Sequence, residues 1–121
     1  QWPTEMIWSG FEIGIALPYP SQSIVDDFRD VPHHPVKEAY VIYAPPPQNR
    51  PSWDLTSVLD GVLGHRGYFE RSAPGKVSVT DRGATTFTPD PAGRHRYLIL
   101  KDDAAKARAI EALVQLTSQP R

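Results

Sequence analysis

"TEMIWSGFEIGIAL", residues 4–17, decides how the chain is read. Its mixture of β-branched and aromatic residues predicts a buried strand over 4–11 that leaves its sheet at a glycine. Glu12 follows as a charge inside an apolar run. Burying it requires a partner or a proton, so it is either a structural carboxylate bonded to backbone amides or a residue of a site.

Working outward, the "LPYP" stretch at 17–20 ends regular structure, and "SQSIVDDF" at 21–28 reads as a short helix or turn capped by Ser21 or Ser23. In "DVPHHPVKEAYVIYAPPP", residues 30–47, Pro35 suits the first turn of a helix running to about Ala44, and the triple proline stops it. Val36, Tyr40 and Tyr43 fall on one side of that helix, a pattern more typical of core than of a ligand box. "RPSWDLTSVLDGVLG", residues 50–64, predicts a helix from Ser52 to about Leu63 with Leu55, Val58, Leu59 and Val62 as its apolar stripe. Ser52 is the expected N-cap, Asp54 adds a carboxylate where the helix dipole favours one, and Gly64 is the expected C-cap.

Beyond Gly64 the apolar period changes to two. "GYFERS", "GKVSVTD" and "ATTFTP" read as short strands, with Gly83 at positive φ in a "TDRGA" hairpin turn. "RHRYLILK" is a further strand whose apolar second half predicts a covered position. Alternation places Arg94 and Arg96 on one face and His95 and Tyr97 on the other, as in a solvated or ion-paired edge strand, with phosphate binding as the alternative. "DDAAKARAIEALVQL" is a helix capped by Asp102 or Asp103, with Ala109, Ile110, Leu113 and Leu116 on one face. The class is α/β: one buried strand, two or three helices, a small antiparallel β-meander and a terminal helix.

The 121 residues suit one small domain or part of a larger one. Thirteen prolines break the chain into short elements. With 13 basic and 14 acidic residues and a formal charge of −1, nothing points to nucleic acid. No apolar run is long enough to cross a bilayer, and no signal-peptide pattern is present. The absence of cysteine excludes disulfides and cysteine-based metal or nucleophile sites but leaves the compartment open.

No serine elbow, phosphate loop or dinucleotide fingerprint occurs. The adjacent His33 and His34 diverge on any regular element and poorly share one metal, though they suit a loop lining a site. The pairs Asp26–Asp27 and Asp102–Asp103 read as surface or cap residues.

Taken in order, "WPTEMIWSGFEIG", "HHPVKEAYVIY", "RPSWDLTSVL", "GYFERSAPGKVSV" and "GRHRYLIL" resemble the C-terminal portion of the inosine/uridine-preferring nucleoside hydrolases. The resemblance covers nearly the whole chain but a minority of a typical family domain. It implies the C-terminal part of an open nucleoside-hydrolase-like α/β domain, with calcium at the carboxyl ends of the strands. In that family an aspartate-rich motif near the N-terminus supplies most metal ligands and the base, and a lone aspartate at the start of a late helix adds another. Asp54 stands in that position. Calcium there lowers the pKa of a bound water and orients the sugar hydroxyls, and the water attacks the anomeric carbon through an oxocarbenium-like state.

Many members place a histidine before this aspartate to help protonate the leaving base, whereas this chain has Trp53. Indole is not a general acid at neutral pH, so activation of the leaving group comes from elsewhere. Trp53 is expected to stack on a base or sugar or to fill core, and Glu12, His33, His34 and Tyr40 are further candidates for the pocket wall.

The resemblance thus implies a segment with no catalytic residue of its own, one calcium ligand, and inactivity alone. A chain opening on Gln1 fits a piece cut from within the domain. The implied partners are a nucleoside or related glycoside and further copies of the chain, without nucleic acid or membrane. The rival expectation is a stand-alone protein-binding or inhibitor module, using the aromatic-rich strands and the proline-stiffened loop 45–51.

Overall fold

Only the middle of the opening apolar run is strand. The computed structural model describes residues 4–119, and in it β1 (Met6–Trp8) is half-buried and gives way at Phe11 to a short helix, α1 (Phe11–Ala16). The expected strand over 4–11 is therefore too long. Ile13 and Leu17 are buried while Ile15 between them is exposed, whereas a strand would put all three on one face; the burial is that of a helix, despite the β-branched composition of the run.

Next come β2 (Pro18–Tyr19), α2 (Ser21–Asp26), α3 (Pro35–Tyr43), β3 (Arg50–Pro51), α4 (Trp53–Leu63) and a single 3-10 turn (Gly64–Arg66). The chain closes with β4 (Glu70–Arg71), β5 (Gly75–Val79), β6 (Thr85–Pro89), β7 (His95–Ile99) and α5 (Asp103–Ser118). Among the described residues four helices precede the β-hairpin, where two or three were expected.

The main sheet is mixed, with strand order β1-β7-β5-β6 and β4 paired to β7. β1 runs parallel to β7, with Met6 opposite His95 and Trp8 opposite Tyr97. A parallel pair needs a long crossover, here supplied by the helices between the two strands. The β5–β6 hairpin turns at Gly83, whose φ of 82° is readily adopted only by glycine. β7 is not an edge strand, contrary to expectation, because β1 and β5 both pair with it. Arg96 is ion-paired as expected, to Glu5 at 2.9 Å, and also donates to the Ser72 carbonyl. Pro18 and Tyr19 are not the end of regular structure either, since they pair antiparallel with Pro51 and Arg50.

The core gathers Ile13, Leu17, Tyr19, Ile24, Phe28, Leu59, Phe69, Leu98, Ala109, Ala112 and Leu113. Helix α5 approaches closely through its alanines and is capped by Asp102, whose carboxylate accepts from the Ala105 amide at 2.7 Å. Leu116, expected on its buried face, is 49% exposed. In α2 neither serine caps: Pro20 holds the cap position, and the Ser21 amide instead donates to Asn49 Oδ1.

Helix α4 departs most from its apolar pattern. Leu59 is buried, but Leu55, Val58 and Val62 are 37%, 59% and 69% exposed. The inward face carries Thr56, Leu59 and Asp60. Thr56 hydrogen-bonds Ser9, and Asp60 accepts from Arg71 at 3.0 Å, so both polar groups are satisfied where they are buried. Gly64 stays right-handed at φ −56°, and the left-handed residue that ends this segment is Gly67. Among the described residues no helix is long and apolar enough to cross a membrane.

Candidate functional site

The start of α4 is fixed by α1. The Ser52 amide donates to the Gly14 carbonyl at 3.0 Å, and the Trp53 indole N–H donates to the Phe11 carbonyl at 3.2 Å. The Trp53 ring stacks on Phe11 with centroids 5.5 Å apart and planes 19° from parallel. Glycine at 14 permits this approach, because a Cβ there would lie 2.1 Å from Trp53 Cδ1 and 2.8 Å from its Cα. Ser52 occupies the N-cap position, but its hydroxyl makes no cap bond and is buried without a partner. Its ψ of 39° differs from the extended backbone usual at a cap whose side chain reaches the helix amides.

Asp54 sits in this first turn, exposed, with no hydrogen bond or ion pair to any described residue. Its carboxylate is neither a cap nor half of a salt bridge. It projects from a helix end that backbone and indole contacts hold in place, near the positive pole of the helix dipole.

Beside it, α3, β3, α4 and α5 enclose a cleft of about 360 Å³ whose lining includes Tyr19, Tyr40, Tyr43, Arg50, Leu55 and Thr117. The Arg50 guanidinium lies over the Tyr43 ring at 4.2 Å and stands 6.0 Å from the Trp53 ring. Phe11, Trp53, Arg50 and Tyr43 therefore form a continuous ladder of planar groups. Tyr40 donates its hydroxyl to the Gln48 carbonyl and tilts against Tyr19. Burial pushes its pKa up against the opposing pull of the nearby Arg50 charge. The face carrying Val36, Tyr40 and Tyr43 is thus a cleft wall, and α3 has no buried residue at all.

The remaining candidates disperse. Glu12 is exposed in the first turn of α1, its carboxylate folded back over Gly10, so the anticipated burial does not occur. His33 is exposed and pairs with Glu38 at 3.0 Å. His34 precedes α3 and packs its ring edge-on against Phe28 at 4.7 Å. Among the described residues no group of three or more His, Cys, Asp or Glu is placed to hold a metal ion.

Arg50 and Phe11 were not singled out by the sequence, and Tyr43 was read only as part of an apolar helix face. Tyr40 and Tyr43 share a helical face, but the arginine joins them only through β2–β3 pairing, which no local pattern encodes. Fold and site together define a mixed α/β chain with a solvent-facing carboxylate beside an aromatic cleft. Neither family models nor curated proteins nor solved structures give a match to this chain.

Proposed function

We propose that this chain is the C-terminal segment of a nucleoside-hydrolase-like N-glycosidase and contributes one carboxylate to a calcium site. The observation that carries the reading is the partnerless Asp54 carboxylate on a firmly held helix start. Calcium takes six to eight oxygen ligands, and a carboxylate left free of intramolecular bonds suits that role. The described residues do not bring a second and third acidic ligand beside it, so this chain alone makes no calcium cage.

Two further features support membership of a larger α/β domain. Among the described strands only β7 pairs with β1, which leaves one edge of a parallel strand open. In addition, Phe11 and Ile15 of α1 and Val58 and Val62 of α4 are exposed, although helices of globular domains ordinarily turn such residues inward. An open strand edge and bare apolar helix faces are both features expected of a chain whose domain continues beyond it.

The chain's own share of the chemistry is positional. Asp54 offers oxygens from a rigid mount, and Trp53 presents an indole already oriented by Phe11. Flanked by Phe11 and Arg50 in the ladder, the indole serves as a fixed aromatic wall beside the carboxylate and does not protonate a leaving group.

The test is calcium calorimetry and inosine hydrolysis on a longer polypeptide that includes the upstream segment, beside its Asp54→Ala variant and the 121-residue chain. Calcium binding and hydrolysis by the longer protein, a marked loss in the variant and silence of the short chain are expected. Unchanged calcium affinity in the variant removes the ligand assignment.

A further inference from the structure

We infer that the cleft between α3, β3 and α4 binds a planar ring bearing an oxyanion, with Arg50 as the anion-recognising group. The inference goes beyond the calcium site and holds whether or not Asp54 ligates a metal.

Arg50 is half-buried, and its guanidinium makes no ion pair or hydrogen bond with the described residues. Among the described residues no Asp or Glu lines the cleft. A guanidinium is always charged at neutral pH, and its planar fork of donors matches a carboxylate or phosphate bidentately. The contact over the Tyr43 ring at 4.2 Å engages the guanidinium charge without using its N–H donors, which are left to meet a ligand.

The rest of the lining sets the body of the ligand. Tyr19, Tyr40, Val36 and Leu55 supply apolar and aromatic surface. The Tyr40 hydroxyl is committed to the Gln48 carbonyl, and that of Tyr19 to Ser23 and Thr117. Unspent donors therefore concentrate at Arg50, while the walls favour a flat ring. The volume of about 360 Å³ falls within the range of small-molecule sites.

Matched probes test this on the 121-residue chain by calorimetry. Orotate and uracil share a ring and differ in a carboxylate, and phenyl phosphate and phenol differ in a phosphate. At least one anion is expected to bind roughly tenfold or more tightly than its neutral counterpart, as charge-assisted hydrogen bonding implies. An advantage in the first pair alone identifies a carboxylate ligand, in the second alone a phosphate, and in both a general oxyanion site. Arg50→Gln should abolish the advantage and Arg50→Lys retain part of it, with near-ultraviolet circular dichroism unchanged. Should both anions bind no better than their neutral partners, or the preference survive Arg50→Gln, the inference is overturned. An Asp54→Asn variant is expected to keep the preference, which separates failure here from failure of the calcium assignment.

Discussion

At the scale of single residues, Gly14 is the point on which the geometry of the α4 start depends. A methyl group there meets Trp53 backbone as well as its ring, and the backbone is held by the bond from the Ser52 amide to Gly14. Gly14→Ala should therefore destabilise the chain by about 1–3 kcal/mol in urea unfolding, the usual range for overpacking, and disturb the Trp53 fluorescence. An unchanged midpoint would contradict the close approach. The glycine is visible in the sequence; its partner, thirty-nine positions later, is not. The position of Trp53 and Asp54 at a helix start was legible because such a start has a local signature, whereas the contacts of Arg50 come from neighbours that only tertiary pairing supplies. A second residue-scale prediction concerns Asp90, whose carboxyl is held below its ordinary 3.8 first by the Lys76 hydrogen bond and then by the Ala92 amide. A depressed folded value means this stabilisation is present above the ordinary carboxylate range and is lost as pH falls through the folded value. Lys76→Met should move the Asp90 titration, followed by carboxyl-carbon NMR, upward toward 3.8; no movement would refute the assigned cause.

At the scale of elements, α4 shows what a hydrophobic pattern does and does not encode. Its period identified the helix and nearly its ends, yet the helix is rolled so that Thr56 and Asp60 face inward. Ser9 and Arg71 satisfy those two polar groups, and neither partner is detectable from the helix itself. The consequence is measurable in the 121-residue chain. Leu59→Ala should cost about 2–5 kcal/mol, as for a buried leucine, whereas Val58→Lys and Val62→Lys should change stability by no more than about 0.5 kcal/mol. Comparable losses at all three positions would show the stripe packed as its sequence implies. The same reasoning accounts for α1: the composition of 4–17 is that of a strand, but Ile13 and Leu17 are buried with Ile15 left exposed between them, which a helix gives and a strand does not.

At the scale of the whole molecule, the hairpin, the terminal helix and the α/β class followed from period and turn chemistry. The mixed sheet did not, since the β1–β7 pairing joins residues far apart in sequence. That pairing also makes the proposal of a larger domain testable without reference to activity. The Met6 amide donates to the Arg94 carbonyl at 3.0 Å, so the alternation of a parallel ladder turns the Ile7 amide toward the opposite, open edge. In the 121-residue chain that amide should exchange with solvent far faster than Met6, because a strand edge without a partner offers it no acceptor. In a longer polypeptide whose sheet continues past β1, Ile7 should become as protected as Met6. Val58→Lys and Val62→Lys, neutral in the short chain, should then destabilise the longer one, because covered apolar faces no longer tolerate a charge. Rapid exchange at Ile7 in both polypeptides would mean that β1 is a true sheet edge, and would leave the Asp54 carboxylate without the neighbouring layer that a calcium cage requires.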